Sequence, residues 1–234
     1  MPAIPAIASD PFAMRRPPPP RSDDVRTRQV RAAQSVARTA AQEVRIIGGQ
    51  WKRTPLPVPV AAGLRPTSAR VRETLFNWLG QDLSGWRVLD AFAGSGALGL
   101  EAASRGASAV LLERDPTLAT SLRAVVQRLK AVQVQVQQAE ALAWMARAAD
   151  APNAEPFDLV FLDPPFDEAL FQPALAAAVR CVAPGGWVYA EAPHALSSDP
   201  ALGLRRHRQS RAGAVHFHLF QRVDAAEGAP PPIA

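Results

Sequence analysis

Hydrophobic positions along the chain follow two periods. From Trp86 onward, short apolar runs alternate with longer segments whose apolar residues recur every three to four positions. The short runs predict strands over 87–91, 109–113, 132–137, 157–163 and 187–191. The longer segments predict helices over 97–105, 116–129, 140–149 and 168–182. Strands that are apolar on both faces and regularly followed by amphipathic helices predict a parallel sheet covered on both sides. The pattern then changes. Segment 214–221 alternates polar and apolar residues, and it is joined to segment 205–210 by Arg211-Ala212-Gly213, which predicts an antiparallel hairpin. The expected fold class is α/β and Rossmann-like, with a seven-stranded, mostly parallel sheet closed by a C-terminal antiparallel hairpin.

Upstream of Trp86 the periodicity is weaker. Residues 44–60 read as short β segments broken by Gly48-Gly49 and by Pro55, Pro57 and Pro59. Thr67 is the expected N-cap of a helix over 68–79, with Val71, Leu75, Trp78 and Leu79 as its buried stripe. Residues 1–22, with four successive prolines from Pro17 to Pro20, are expected to be disordered. Residues 23–43 have a loose helical pattern but no stripe that calls for packing. The expected organisation is an extension over 1–43, β segments and a helix over 44–84, a main domain over 85–223 and a disordered tail over 224–234.

Composition adds limits. The chain has 234 residues, 48% of them hydrophobic, enough for one sizeable core. Arg and Lys number 26 against 21 acids, for a net charge of +5. That excess is unevenly placed: six basic residues and no acid lie between Val44 and Arg72. Such clustering suits a polyanionic partner. Cys181 is the only cysteine, so disulfides and cysteine zinc sites within the chain are excluded. It lies in an apolar helical stretch and reads as core. No apolar run approaches the ~20 residues of a membrane span, and no signal peptide is apparent. A cytoplasmic monomer is expected, with no membrane partner and no metal.

Two segments carry chemistry. The first predicted strand runs into Asp90-Ala91-Phe92-Ala93-Gly94-Ser95-Gly96-Ala97-Leu98-Gly99. Glycines at the carboxyl end of a strand allow a tight turn and let a ligand approach backbone. The spacing also satisfies G-x-G-x-x-G, so a nicotinamide dinucleotide is an alternative ligand. Against it, a carboxylate at Asp90 would repel a pyrophosphate but would suit an ammonium. Glu113, ending the second strand, can accept both ribose hydroxyls, and Glu140, starting the helix after the third strand, can meet an adenine amine. With Phe92, Gly94 and Gly96 these form the expected cofactor site.

The fourth strand ends in Asp163-Pro164-Pro165-Phe166, the most specific signal in the chain. Two prolines stop the ladder and hold a rigid, extended loop beside the glycine loop. The loop offers a carboxylate, the Pro164 carbonyl and an aromatic face. An exocyclic base amine is a poor nucleophile because its lone pair is delocalised into the ring. Two acceptors on its hydrogens favour a tetrahedral nitrogen, and Phe166 can stack on the base. The expected chemistry is methyl transfer from S-adenosylmethionine to such an amine, with no metal or covalent enzyme intermediate. A non-catalytic RNA-binding factor and an adenine-N6 methyltransferase are the competing readings, because the loop alone does not separate guanine from adenine.

Arg45-Ile46-Ile47-Gly48-Gly49, Leu64-Arg65-Pro66-Thr67 and the run from Arg70 to Leu79 precede these two motifs in a recognisable order. Over roughly residues 44–222 the chain resembles the bacterial 16S ribosomal RNA guanine-N2 methyltransferases of the RsmD type. The resemblance implies a class I S-adenosylmethionine-dependent fold, guanine N2 as the acceptor and 16S rRNA as the partner, in an assembled or assembling small ribosomal subunit. It implies that Asp163 to Phe166 bind the target amine. Arg45, Lys52, Arg53, Arg65, Arg70 and Arg72 are the expected RNA contacts, with bracing of the cofactor edge as the alternative role for Arg72 and its neighbours, and Arg205, Arg206, Arg208 and Arg211 form a second basic cluster. Trp51 reads as a packing residue more readily than as a base-stacking one. The extension over 1–43 and the long side chain at Glu140 depart from the family pattern.

Overall fold

The computed structural model describes residues 44–58, 67–165 and 168–223. The expected extension over 1–43, the tail over 224–234, and the site residues Arg65 and Phe166 lie outside the described residues. A two-stranded antiparallel pair comes first, β1 (Val44–Arg45) with β2 (Pro55–Leu56), followed by helix α1 (Ala69–Leu79). Strands β3 (Arg87–Asp90), β4 (Ser108–Glu113), β5 (Val134–Gln138), β6 (Phe157–Leu162) and β7 (Val182–Ala192) then alternate with helices α2 (Gly99–Ser104), α3 (Pro116–Leu129), α4 (Ala141–Ala149) and α5 (Glu168–Cys181). The last strands are β8 (Leu204–Ala212) and β9 (Val215–Arg222).

The main sheet has seven strands in the order β5-β4-β3-β6-β7-β9-β8. Neighbours from β5 through β7 run parallel, and β9 is antiparallel to both β7 and β8. This is the expected α/β, Rossmann-like sheet with its terminal hairpin. The chain winds outward from β3 through β4 to β5, then returns to lay β6 on the other side of β3. That reversal opens a crevice at the carboxyl ends of β3 and β6.

Alternation along the strands separates the core. Leu89, Val160, Leu162, Val188 and Ala190 are fully buried with residues of α4 and α5. Their neighbours Val88, Leu159, Phe161 and Tyr189 pack instead with Val71, Leu75 and Phe76 of α1. The Phe161 ring meets Phe76 and Tyr189 edge-on, at centroid distances of 6.3 Å and 6.0 Å. Burying each such side chain contributes roughly 1.5–3 kcal/mol. Cys181 is buried as expected, its Sγ 3.4 Å from the Met145 carbonyl, and burial pushes its thiol up to about 11.

Helix α1 departs from expectation at its start. Its N-cap is Ser68, whose extended backbone lets Oγ accept from the Val71 amide at 3.3 Å. Thr67 is thereby freed from capping, and its hydroxyl donates to Asp163 Oδ2 at 3.2 Å. The buried stripe is Val71, Arg72, Leu75 and Phe76, while Trp78 and Leu79 are half-buried.

The β1–β2 segment is fastened to α2 by one buried carboxylate. Glu101 is fully buried. It accepts from the Ile47 and Gly48 amides at 2.7 and 2.8 Å, from Arg72 Nη1 at 3.2 Å and from Arg105 Nη2 at 2.9 Å. Gly49 makes the close approach: its φ is +70°, and a Cβ there would sit 1.8 Å from the Ser104 carbonyl oxygen. That carbonyl receives the Gln50 amide at 2.7 Å. Trp51 is half-buried against this cluster, in keeping with a packing role.

Candidate active site

Strand register gathers three carboxylates on one face of the sheet. Asp90 lies opposite Phe161, and Leu162 lies opposite Ala190. Side chains alternate, so Asp90 shares a face with Phe161, and so do Asp163 two residues later and Glu191 beside it. All three line a cavity of about 670 Å³ at the carboxyl edge, together with residues 91–95, 97 and 98 of the glycine loop, Glu113 and Glu140; Gly96 shapes the turn but does not itself line the cavity. That volume is in the range of small-molecule and cofactor sites.

The glycine loop is held from both sides by acids. Gly99 donates its amide to Asp90 Oδ2 at 2.8 Å. A Cβ on Gly99 would sit 2.8 Å from Leu111 Cδ1 and 3.0 Å from that same oxygen, so any larger residue would crowd this contact. Gly94 donates to Glu113 Oε2 at 2.9 Å, and the Asp115 amide donates to Oε1 at 2.8 Å. Each carboxylate oxygen has a second lone pair for a ligand. Asp90 is buried, and burial raises its carboxyl to about 7, with the charge of Glu113 adding to the rise and the Gly99 amide opposing it. Gly96 takes φ +78° at the turn, and half-buried Phe92 lines the cavity.

Glu140 has a structural duty. It is the N-cap of α4, accepting from the Leu142 and Ala143 amides at 3.0 and 2.7 Å. Its carboxylate is exposed and lines the cavity, so the cap fixes it at the wall where an adenine contact is expected.

Asp163 follows β6 directly and lies half-buried in the cavity wall with Pro164 and Pro165. Removal from water, and then the charge of Glu191, push its carboxyl well above the usual carboxylate range, against the Thr67 hydrogen bond. Glu191 is 5% exposed and accepts from the Tyr189 hydroxyl at 2.8 Å. Thr67 and Glu191 are the two site residues that sequence reasoning missed. Thr67 was masked by a plausible capping role. Glu191 had a usable signal, because it is an acid closing an apolar strand, as Glu113 is.

The basic residues divide. Arg45, Lys52, Arg53 and Arg70 are exposed. Arg70 opens α1 between Ser68 and Val71, both of which line the cavity. Arg205, Arg206, Arg208 and Arg211 are exposed along edge strand β8, whose end Ala212 also lines it. Arg72 is a correction: it is 1% exposed, and its guanidinium is bonded to the Thr67 and Arg45 carbonyls and to Glu101. A guanidinium so enclosed cannot reach a phosphate, so Arg72 joins the β1–β2 segment to α1 and α2 instead.

Comparisons with known proteins agree in extent with this architecture. The family model described as Conserved hypothetical protein 95 matches residues 44–221. Ribosomal RNA small subunit methyltransferase D of Escherichia coli (strain K12) is 41% identical over 193 residues, covering 79% of this chain and 93% of the relative. The protein of the same name from Haemophilus influenzae is 38% identical over 187 residues, covering 78% and 95%. Among solved structures, yhhF from Escherichia coli superposes with a TM-score of 0.68 at 38% identity, covering 77% of this chain and 98% of that one.

Proposed function

Because this chain belongs to the Conserved hypothetical protein 95 family, alongside the small-subunit ribosomal RNA methyltransferases D, we infer that it is a ribosomal RNA methyltransferase. We propose that it transfers a methyl group from S-adenosylmethionine to the exocyclic N2 of a guanine in 16S rRNA, acting as a monomer on an assembled or assembling small subunit. The observation that carries the chemistry is the placement of Asp163-Pro164-Pro165 beside the Asp90 glycine loop in one cavity.

The cavity fits the donor. Asp90 is a buried carboxylate whose raised proton affinity calls for a cation, which an amino-acid ammonium provides. Glu113, fixed by two amides, has lone pairs left for ribose hydroxyls. Phe92, Gly94, Gly96 and Glu140 complete that side. When bound, S-adenosylmethionine supplies a methyl group on a cationic sulfur.

The chain's own residues orient the acceptor. Asp163 and the Pro164 carbonyl hold the two amine hydrogens, turning the nitrogen lone pair toward the methyl carbon. Thr67 keeps Asp163 in position. The raised proton affinity of Asp163 suits it to take the proton that the nitrogen sheds once the new N–C bond has formed. Phe166, directly after the prolines, is the ring assigned to stack on the base. Arg45, Lys52, Arg53, Arg65 and Arg70, together with the β8 arginines, are assigned to the RNA backbone, giving affinity while the pocket gives base choice.

Mass mapping of modified nucleosides in ribosomal RNA, from cells with and without the gene, tests this reading. Loss of one N2-methylguanosine from 16S rRNA is expected. Loss of N6-methyladenosine instead would keep the chemistry and overturn the base.

A further inference from the structure

The function just described leaves Glu191 unused, although it is a buried acid in the wall of the same cavity as Asp163. It is 5% exposed, lines the same cavity and lies one strand over from Asp163 in register. The Tyr189 hydroxyl donates to its Oε1 at 2.8 Å, and the Tyr189 ring is fully buried between Phe161 and Phe217. Glu191 is therefore held at a fixed height above the sheet. Burying a carboxylate so close to Asp163 is costly, as the rise of the Asp163 carboxyl through the charge of Glu191 shows. A hydrophobic residue would pack there at less cost, which points to a use for the carboxylate in the pocket.

The chemistry of purine edges supplies that use. On guanine, the N2 amine is flanked by the ring N1–H, so donors stand side by side. On adenine, the N6 amine is flanked by N1, a lone-pair acceptor. If Asp163 holds the amine hydrogen on the N1 side and the Pro164 carbonyl the one on the N3 side, a second carboxylate beside Asp163 meets N1. There it attracts a guanine N1–H and repels an adenine N1.

We propose that Glu191 is a specificity-determining residue that accepts the N1–H of the target guanine, with Tyr189 as its positioning residue. The assignment rests on the guanine-N2 reading above, and it adds the feature of this chain that separates guanine from adenine. The Asp163 loop by itself does not.

The test uses 2-aminopurine, which keeps the N2 amine but carries an N1 lone pair in place of N1–H. Small subunits are reconstituted with either guanine or 2-aminopurine at the mapped target position, and single-turnover methylation is measured with the wild-type protein and with Glu191→Gln. Wild type is expected to lose about 100-fold or more in kcat/KM on 2-aminopurine, because a site built for a hydrogen bond rejects an analogue lacking it. Glu191→Gln is expected to lose on the order of 30-fold on guanine and to discriminate between the two bases by less than about threefold, since its amide can donate to N1. Cofactor affinity should stay within about twofold of wild type. Tyr189→Phe should show an intermediate loss of discrimination. A merely structural role would slow both bases alike, so a Glu191→Gln protein that still discriminates as wild type does overturns the proposal. Wild-type methylation of a base other than guanine, or of an atom other than N2, would overturn the underlying reading first, and that outcome is seen without any variant.

Discussion

At the scale of single residues, the cavity concentrates negative charge before any ligand arrives. Asp90 has its carboxyl raised to about 7 by burial and then by Glu113. A cationic ligand beside it favours the ionised form, so binding should release a proton when Asp90 is still protonated. The sign follows directly: affinity for S-adenosylmethionine should rise with pH until Asp90 is ionised in the free protein. Between about pH 6 and pH 7, below the range in which the ligand's own α-ammonium loses its proton, the gain should be roughly fivefold. Calorimetry in buffers of different ionisation enthalpy should detect the released proton near neutrality, and Asp90→Asn should flatten the profile. A pH-independent affinity in the wild-type protein would show that Asp90 does not face the cation. The same raised value acts on the free protein, whose stability from this group is greatest at low pH and lost as pH rises through about 7.

Elements explain why some of these residues were legible in the sequence and others were not. The central parallel strands and their helices follow from apolar periodicity, because strands covered on both faces are largely apolar, while edge strand β5 shows itself by its alternation of Val and Gln. Asp90 and Asp163 stand out because acids and prolines interrupt such strands where the sheet ends. Thr67 was read as a cap because both it and Ser68 can cap, and only the backbone of the folded chain decides that Ser68 does so. Arg72 was listed as an RNA contact because its partner Glu101 is 29 positions away, and only the folded chain brings the two helices together. The Glu101 junction gives a prediction at this scale. Glu101→Ala leaves Arg72 and Arg105 buried without their carboxylate and the Ile47 and Gly48 amides without an acceptor. The expected loss in denaturant unfolding is about 3–5 kcal/mol. A loss below about 1 kcal/mol would mean that the β1–β2 segment is held by its apolar contacts and its hydrogen bonds to Ser104 rather than by Glu101.

For the whole molecule, the family match begins at residue 44, where the described structure begins. We propose that residues 1–43 form an extension dispensable for folding. Their removal should leave the melting temperature almost unchanged and weaken RNA binding in a salt-dependent way; a truncated chain that fails to fold would contradict this. Exposed Arg70 of α1 adjoins the cavity-lining Ser68 and Val71, and the exposed arginines of β8 run toward the cavity-lining Ala212, so that an RNA backbone following them would pass the mouth of the pocket that holds Asp163. The most direct test of methyl transfer from that pocket is a single-turnover assay with labelled S-adenosylmethionine and purified small subunits lacking the modification, comparing wild type with Asp163→Ala. Label should appear as N2-methylguanosine in 16S rRNA with the wild-type protein. With Asp163→Ala the rate should fall by about two to three orders of magnitude while cofactor affinity holds, because the lost bond belongs to the transition state. Full activity in Asp163→Ala, or label recovered as N6-methyladenosine, would contradict it.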